Sequence, residues 1–509
     1  MQLPKGRAIA VAVVSLLAAL GVGHLVAGLV EPSSSPFVAV GNWVRDISPH
    51  AVVEWAKDTF GTADKLVLFI GVTVVVLGLT VLAGLLSRTR PTPGLIVAAA
   101  QGVIACVAVL TRPDLGQLGI TAPVASTVVG LVVFRWLHGK AWPAEEDREG
   151  RRAFLRAGAG VVIGAGATAV VGQLVGNRVD VEQSRAEVGR LVPASPAPKL
   201  PTGADFASSG SPRFITSNRD FYRIDTALTL PRVSAQDWRL RIHGLVDETV
   251  EFTFADIRDR ALIERPVTLA CVSNEVGGGL ISNADWIGVP LRDLLVEAGV
   301  KPGADQLFST SIDGFTAGTP VDALLDPNRG AMLAIGMNGE PLPQEHGFPA
   351  RMVVPGLYGY VSATKWVVDM ELTTFADKQG YWIPRGWSAK APIKTQSRID
   401  NPRDGATLPR DGATLPRGRA TIAGVAWAQT IGIEKVEVGV DDTWYEADLS
   451  TEVDVNTWRM WRVSVDLKSG SRRIQVRATD KSGYTQTDAL AEPAPDGATG
   501  WHTITVNVA

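Results

Sequence analysis

The sequence has few cysteines and little net charge. Only two cysteines, Cys106 and Cys271, occur among 509 residues, and this count excludes a disulfide framework. There is no Cys-x-x-Cys-His motif, which excludes a c-type haem attached to this sequence. The formal net charge is −3, and no basic stripe with interleaved aromatic residues indicates a surface for nucleic acid. Composition therefore argues against a disulfide-stapled scaffold, a c-type cytochrome and a nucleic-acid-binding protein.

Long apolar runs, by contrast, are abundant in the first third of the chain. Hydrophobic residues make up 46% of the sequence and the mean hydropathy is +0.13. Five apolar stretches occur at about 8–30, 66–86, 95–110, 120–137 and 161–175. The first two are long enough to span a bilayer, and the other three are near the lower limit. Residues 1–178 are therefore predicted to form an α-helical membrane bundle with about five transmembrane helices.

Basic residues at the ends of these runs predict their orientation. Lys5 and Arg7 precede the first run, Arg88 and Arg90 follow the second, and a larger cluster between 140 and 156 precedes the fifth. All three clusters fall on one side of a five-span arrangement, and Lys and Arg favour the cytoplasmic side. The protein is thus predicted to be a multi-pass protein of the cell membrane, with the later part of the chain on the extracytoplasmic side.

The segment before the fifth run carries a second signal. Its sequence Arg151-Arg152-Ala-Phe154-Leu155-Arg156, followed by a weakly apolar run of Ala and Gly, resembles a twin-arginine export signal. The alternative is that the two arginines only anchor the helix on the positive side. Because twin-arginine systems move folded proteins, the motif predicts that the following domain folds before it is exported.

Three segments lack the pattern of a packed domain. Residues 179–212 are rich in Pro, Ala, Ser and charge, which predicts a linker that buries no core. The heptapeptide Arg-Asp-Gly-Ala-Thr-Leu-Pro occurs twice in succession, at 403–409 and 410–416, and is too short for a solenoid repeat. The loop at 31–65 is rich in Trp and Val and is predicted to lie in the membrane interface as an amphipathic helix.

The stretch around Cys271 is the most informative part of the sequence. Val267-Thr-Leu-Ala predicts a buried strand that leads into Cys271 and a Ser-Asn-Glu-Val-Gly-Gly-Gly loop. Downstream, Pro290 at a first helical position and Gly299 at a C-cap predict a helix of about two to three turns. A thiol on a loop between two rigid elements is a candidate functional site. The alternative is a small buried hydrophobe, as cysteines outside disulfides often are.

This stretch also resembles a known family. The motif Leu269-x-Cys271-x-x-Asn274, followed by Trp286-x-Gly-Val-Pro-Leu, is similar to the molybdopterin-binding loop of the sulfite oxidases. The resemblance implies an α+β sulfite-oxidase-like domain, assigned to residues 213–395, and a molybdenum–molybdopterin cofactor. It further implies that the Cys271 thiolate is a molybdenum ligand and the catalytic residue, and that the reaction is a two-electron oxygen-atom transfer.

Two further segments resemble cofactor-binding segments of the same family. One is Asn218-x-x-Phe221-Tyr222, and the other runs from His346 through Arg351 to Lys365, after Asn-Gly-Glu-Pro-Leu-Pro. By this resemblance the pterin and its phosphate are held by His346, Arg351 and Lys365. A phosphorylated ligand needs such fixed cationic donors. Taken alone, each cation has a structural alternative, as a snorkelling arginine or an edge-strand lysine. The predicted cofactor-binding residues are Asn218, Phe221, Tyr222, Cys271, Thr310, His346, Arg351, Thr364 and Lys365.

One position departs from the family pattern. In the sulfite oxidases proper an arginine follows the asparagine of the cysteine loop and helps to gather the anionic substrate, whereas here the residue is Glu275. A carboxylate would repel sulfite by roughly 1 to 4 kcal/mol for charges about 4 Å apart. The resemblance therefore predicts the metal site but leaves the substrate open: a small molecule, for which a sulfur compound is one candidate.

The last hundred residues predict an all-β domain. Short alternating segments separated by turn residues are typical of a sandwich. The segments Gly424-Val-Ala-Trp427 and Arg477-Ala-Thr-Asp480 resemble the immunoglobulin-like domain that mediates dimerisation of sulfite oxidases, which assigns residues 396–509 to such a domain. Trp458 and Trp461 are three apart on a predicted strand and so face opposite sides. One of them is predicted to be core and the other is a candidate interface residue.

The sequence leaves functions of different classes open. The leading hypothesis is a membrane-anchored, extracytoplasmic molybdenum oxidoreductase that exchanges electrons with an external cytochrome or quinone-linked partner and forms a homodimer. A second hypothesis is a cofactor-free extracellular binding protein on a degenerate scaffold of the same kind. A third makes Cys271 a nucleophile with His346 as its base.

Overall fold

The first unit of the computed structural model, Met1–Asp180, is helical. The structure describes residues 2–49, 63–112, 115–142, 148–408 and 419–508, together with residues 52, 55, 56, 59 and 60. The long helices of this unit are α1 (Lys5–Val30), α2 (Pro36–Ile47), α3 (Asp64–Leu86), α4 (Thr92–Leu110), α5 (Thr121–Ala141) and α6 (Arg148–Gly176).

Five of these helices, all except α2, are long and apolar enough to cross a membrane. The five apolar helices that the sequence predicts are therefore confirmed as helices. Helix α2 covers part of the predicted interfacial segment and begins with a proline at its first position, where the missing N–H costs nothing. Other residues of that prediction, such as Val53, lie outside the described residues.

Helix α1 is the centre of the helical unit and packs against α3, α5 and α6. The helices approach so closely that a Cβ on Gly28 would lie 2.4 Å from the Gly172 carbonyl oxygen, and one on Gly84 would lie 2.7 Å from that of Ala8. Large apolar side chains such as Ile163 point outward and are exposed. Small residues at the contacts and large apolar residues outside are the arrangement expected of helices in lipid.

The second unit, Val181–Ala509, begins with the segment predicted to be a linker. That prediction is wrong, because the segment forms α7 (Val181–Val188) and continues along the folded domain. The backbone N–H of Ala194 donates to the Leu262 carbonyl over 2.8 Å, and Leu191 and Ala204 are buried. Apolar residues spaced between the prolines find pockets in the domain, which composition alone does not reveal.

The α+β part of this unit contains two sheets. The first has the order β2-β1-β10-β5-β6 and the second the order β3-β4-β7-β8, with β9 paired to β7. The strands are β1 (Arg239–Gly244), β2 (Val250–Thr253), β3 (Ile263–Ala270), β4 (Ile281–Pro290), β5 (Gln306–Ser311), β6 (Thr316–Pro320), β7 (Met332–Met337), β8 (Glu340–Pro341), β9 (Arg351–Val353) and β10 (Val367–Thr373). Strand β1 runs parallel to β10, although the two are far apart in the sequence.

Short helices connect these strands: α8 (Phe254–Arg258), α9 (Leu291–Ala298), α10 (Val321–Leu325) and α11 (Gly359–Ser362). Thr253 caps α8 in a reciprocal box with Asp256. Helix α9 ends at Gly299, whose φ of 71° is left-handed. Pro290 is the last residue of β4 and precedes α9. The prediction that it is the first helical residue is therefore wrong. The consequence is the same, since both elements flank the cysteine loop.

The C-terminal part is all-β, with sheet orders β11-β13-β17-β16 and β12-β19-β18-β14-β15. One buried core draws Ile422 and Trp461 from the first sheet and Val436 and Val476 from the second. The strands are β11 (Gln396–Asn401), β12 (Thr407–Leu408), β13 (Arg419–Trp427), β14 (Ile433–Val440), β15 (Thr443–Glu446), β16 (Asp448–Leu449), β17 (Arg459–Asp466), β18 (Gly470–Asp480) and β19 (His502–Val508). The second heptapeptide copy, 410–416, lies outside the described residues.

Candidate functional site

Cys271 is the first residue after β3 and is buried. Its backbone N–H donates to the Leu280 carbonyl over 2.9 Å, and its own carbonyl accepts from the N–H of Asn274 over 3.1 Å. The Asn274 side-chain oxygen in turn accepts from the N–H of Leu280 over 2.7 Å. The loop that carries the thiol is therefore closed by its own hydrogen bonds, and Asn274, part of the cysteine motif, is the residue that closes it.

Two tyrosines lie beside the thiol. Burial raises the pKa of both phenols, and the negative charge of a Cys271 thiolate adds to the effect. The pKa of Tyr358 rises to about 12, while that of Tyr222 rises further even though Arg351 opposes the shift. Both phenols therefore stay protonated at neutral pH. Gly359 lies nearby, and a Cβ there would make only ordinary van der Waals contacts, with the Ala270 carbonyl oxygen at 3.7 Å and the Tyr222 hydroxyl at 3.9 Å.

Aromatic rings connect the predicted cofactor residues. Phe221 stacks on Tyr222 with ring centroids 5.3 Å apart. It also meets Trp286 edge-on at 5.6 Å and His346 edge-on at 5.4 Å. The Arg351 guanidinium carbon lies 4.9 Å from the Trp286 ring centroid. These contacts bring together residues from three separate sequence segments.

His346 is a neutral hydrogen-bond donor in this structure. Its Nε2 lies 2.8 Å from the Asn218 carbonyl oxygen, which fixes that nitrogen as the protonated one because a carbonyl can only accept. Burial lowers the pKa of His346 to about 4, and the nearby cations Arg351 and Lys365 contribute. The Asn218 side chain is held in turn by Asn338, whose Nδ2 donates to it over 2.7 Å, and by Glu340.

Arg351 is buried and makes hydrogen bonds only to backbone carbonyls among the described residues. The carbonyls are those of His346 at 3.1 Å, Met352 at 3.4 Å and Ala363 at 3.4 Å. Burial lowers the pKa of Arg351 to about 10, so it remains charged at neutral pH. A buried guanidinium with no carboxylate beside it is costly unless a ligand supplies the negative charge.

Lys365 is the second cation of this region and is largely buried, with its side chain 11% exposed. Its Nζ donates to the Asp225 carboxylate over 3.1 Å and to the Glu345 carbonyl over 3.1 Å. Burial lowers the pKa of Lys365 to about 8, and Asp225 counteracts the shift. Gly347 lies against both cations, since a Cβ there would be 3.1 Å from the Cβ atoms of Arg351 and Lys365. Its φ of 111° also requires glycine.

The two predicted threonines differ in their surroundings. Thr364 is buried, and its hydroxyl lies 2.8 Å from that of Ser309 on β5. Thr310 follows Ser309 on the same strand, so its side chain leaves the opposite face of the sheet. Ser309, rather than Thr310, is therefore the β5 residue joined to the segment that carries Lys365.

The structure brings Asn218, Phe221, Tyr222, Cys271, His346, Arg351, Thr364 and Lys365 into one connected region of the second unit. Sequence reasoning missed Tyr358, Asp225 and Ser309. Tyr358 stands within the segment from His346 to Lys365 that resembles a cofactor-binding segment, so its aromatic side chain was an available signal. Asp225 and Ser309 carry no local signal, because their partners lie 140 and 55 residues away.

Comparison with known proteins agrees with this arrangement. Residues 227–382 match the family described as the oxidoreductase molybdopterin binding domain, and residues 388–508 match the Mo-co oxidoreductase dimerisation domain. The all-β part thus coincides with the second family, and the region around Cys271 with the first.

Individual relatives give the same result. Mitochondrial sulfite oxidase of Macaca fascicularis is 28% identical over 350 residues, which cover 58% of this chain and 62% of that protein. An uncharacterized oxidoreductase of Bacillus subtilis, YuiH, is 35% identical over 150 residues, which cover 30% of this chain and 72% of that protein. The match thus spans somewhat less than two thirds of the length of the sulfite oxidase.

A solved structure shares the fold. The crystal structure of the sulfane dehydrogenase SoxCD from Paracoccus pantotrophus superimposes with a TM-score of 0.51 and 24% identity, and covers 64% of this chain and 91% of that chain. The sequence matches and the shared fold lead to one conclusion. The chain belongs to the sulfite oxidase family of molybdenum-dependent oxidoreductases, and it carries that family's molybdopterin-binding and dimerisation domains.

Proposed function

We propose that the protein is a membrane-anchored, extracytoplasmic oxidoreductase that uses molybdenum–molybdopterin for a two-electron oxygen-atom transfer on a small substrate. Family membership implies the cofactor. One observation about this chain supports its use here: a buried thiol, a buried Arg351 and a largely buried Lys365 belong to one region, and Arg351 makes no ion pair within the described part of the chain.

The residues present fit this cofactor chemically. Arg351 and Lys365 are strongly desolvated cations, and a phosphorylated pterin would supply the negative charge that offsets their burial. His346, which donates to Asn218 in this structure, would orient the segment next to the pterin. A metal requires a deprotonated sulfur and stabilises that form itself, so Cys271 would be the protein ligand of molybdenum.

Bound in this region, the cofactor would supply a molybdenum centre able to exchange two electrons and an oxygen atom with a substrate. The chain's own residues would position that chemistry. Tyr222 and Tyr358 keep their protons at neutral pH, so neither would act as a base near the sulfur. Burial of Cys271 would keep bulk water away from its bond to the metal.

The substrate is proposed to be different from, or less anionic than, that of the sulfite oxidases. Glu275 is exposed on the cysteine loop, at the position that the family resemblance assigns to a substrate-gathering arginine. Its carboxylate would disfavour anions near the thiol. A small neutral molecule, with a sulfur compound among the candidates, fits this position better than sulfite does.

The proposed location rests on the five apolar helices and on the alternation of basic clusters in the sequence. A reporter fused after residue 200 should be active only outside the cytoplasm. Activity confined to the cytoplasm would reverse the orientation. Changing both Arg151 and Arg152 to Lys should retain the domain inside the cell if the pair is an export signal, whereas normal delivery would reduce the pair to an anchor.

The proposed partners follow from the chemistry and the domains. A two-electron reaction needs an electron donor or acceptor, which we assign to an external cytochrome or quinone-linked protein. The match to a dimerisation domain supports a homodimer. The immunoglobulin-like character of that domain remains part of the proposal.

Metal analysis tests the central proposal. The full chain, purified in detergent from a host that makes the cofactor, should contain molybdenum at about one atom per chain, together with extractable pterin. Protein from the same host that is folded but contains neither would contradict the proposal. That outcome would favour a cofactor-free binding protein.

A further inference from the structure

The C-terminal all-β domain touches the chain immediately before Cys271. Strand β3 is at the end of its sheet, with only β4 as a neighbour, and Thr268 lies three residues before the cysteine. The backbone N–H of Thr268 donates to the Asn456 carbonyl over 3.1 Å, and its hydroxyl accepts from the Trp458 N–H over 2.8 Å. Its carbonyl accepts from the Gln429 side chain over 3.3 Å. The C-terminal domain therefore satisfies the open edge of this strand at Thr268, while Ser195 pairs with the start of the strand at Ile263.

The same domain touches the chain again after Cys271. The Nη1 of Arg398, on β11, donates to the Gly278 carbonyl over 2.8 Å. The His502 ring, at the start of β19, packs so closely on Gly277 that a Cβ there would lie 2.2 Å from the His502 Cδ2. Gly277 has a φ of 79°, so both its backbone conformation and this contact require glycine.

The two residues that make this second contact are themselves fixed. Arg398 is buried, and its Nε donates to the Asp400 carboxylate over 2.8 Å. The His502 Nδ1 accepts from the N–H of Ile399 over 2.9 Å. Arg398 thus offers the loop a charged donor that is already held in place, and the His502 ring packs beside the loop.

We infer that Arg398 is a positioning residue for the cysteine loop, and that the C-terminal domain holds Cys271 from both sides. The loop contains three consecutive glycines, Gly277 to Gly279, whose backbones have the most conformational freedom to lose. An attachment at Gly278, seven residues after the cysteine, together with that at Thr268 limits where the thiol can lie. The domain matched to dimerisation thereby becomes part of the thiol site in the same chain.

Amide hydrogen exchange of the full chain in detergent tests the inference without reference to the reaction. In Arg398→Met, amides of residues 272–280 should exchange at least about tenfold faster, the factor expected for loss of a hydrogen bond from a charged donor. Arg398→Lys should recover part of the protection, because it restores a cationic donor. Gly277→Ala should have the same effect as Arg398→Met, because its methyl group displaces the loop from His502.

Arg459→Met is the matched control. Arg459 also donates to backbone carbonyls, those of Ser450 at 3.0 Å and Ile433 at 2.7 Å, but both acceptors lie within the C-terminal domain. Its loss should leave exchange in 272–280 unchanged. Unchanged exchange of this segment in Arg398→Met, or equal acceleration in Arg459→Met, would overturn the inference. Because the measurement follows the loop itself, either result leaves the question of molybdenum content to its own assay.

Discussion

The helical unit and the second unit are held together by different kinds of contact. In the helical unit, backbones meet through glycines such as Gly28 and Gly172, and the large side chains face outward. In the second unit, the largest fully buried side chains are tryptophans. Several of these give their indole N–H to a backbone carbonyl, as Trp238 does to Val367 and Trp286 to Val267.

The two units differ in which polar and charged groups need a hydrogen-bond or charge partner. A helix satisfies its own backbone, so helices in an apolar solvent need only shape to associate. A domain in water that buries cations must provide a partner for each one. The burial of Arg351 and Lys365 therefore requires partner groups, whereas the exposed leucines on α3 require none. Substitutions in the two units should accordingly have different consequences.

The largest expected effect comes from the thiol. Cys271→Ser should lower turnover by more than about a hundredfold, since losing even an outer partner of a metal ligand costs that much. The sulfur-to-metal absorption should disappear, while the melting temperature changes little because the shape is kept. Cys106→Ser, on α4 of the helical unit, is the control and should retain activity. Equal turnover in Cys271→Ser and the parent would make the cysteine structural.

The next effect concerns cofactor retention. Arg351→Met removes the buried guanidinium, and the bound pterin should dissociate about 10- to 100-fold more readily, as expected for loss of a hydrogen bond to a charged group. Pterin and molybdenum content after dialysis measure the change. Arg385→Met is the comparison and should retain both, because the Arg385 guanidinium lies on the Tyr381 ring of the same domain, 3.7 Å from its centroid. Full retention in Arg351→Met would separate this cation from the cofactor.

A third prediction concerns acid. Burial lowers the pKa of His346 to about 4. As pH falls from about 6.5 to 4, the unfolded chain therefore binds a proton at His346 that the folded chain does not bind. The free energy of unfolding should then drop by roughly 3 kcal/mol from this group alone. Burial raises the pKa of Asp285 to about 6, so the folded chain holds a proton on Asp285 that the unfolded chain has already lost. Asp285 therefore contributes stability at low pH, and this contribution disappears as pH rises from about 4 to 6.

Two variants separate these opposing terms. His346→Gln should make the second unit less sensitive to acid, and Asp285→Asn should make it more sensitive. Thermal melting followed by tryptophan fluorescence at pH 4.5 and pH 7 measures both. Shifts of the same sign in the two variants would contradict the assignment.

The helical unit should respond to shape rather than to charge. In Gly172→Leu the new Cβ would lie 2.8 Å from the His24 carbonyl oxygen. The substitution should therefore destabilise the α1–α6 contact by about 1–3 kcal/mol. Gly164→Leu, on the same helix but with nothing within 4 Å of its Cβ position, is the matched control. Proteolysis in detergent compares the two. Equal resistance of both variants would remove the close contact as a source of stability.

The smallest expected effect is on substrate choice. Glu275→Arg reverses the charge of an exposed residue on the cysteine loop, and should lower the KM for sulfite a few-fold, because solvent screens exposed charges. Glu248→Arg, exposed elsewhere in the same unit, should not. An unchanged KM in Glu275→Arg would place this residue away from the substrate path.

The sequence by itself determined the features that depend on neighbouring residues. The five apolar helices follow from uninterrupted apolar runs, and the Thr253 cap and the strand–loop–helix around Cys271 follow from local turn and capping chemistry. Most residues of the candidate site also carried a local signal, because each belongs to a short motif with fixed spacing.

Only the tertiary structure decided which distant residues meet. It paired β1 with β10, placed Asp225 on Lys365, and packed the predicted linker onto the domain. Trp458 and Trp461, one of which was a candidate interface residue from their spacing, are both buried within the chain, and the Trp458 indole donates to the Phe214 carbonyl over 3.0 Å. Periodicity reports which face of an element is apolar but not what covers it. The partner is chosen by long-range packing and by the need to satisfy each buried polar group, and neither leaves a trace in the local sequence.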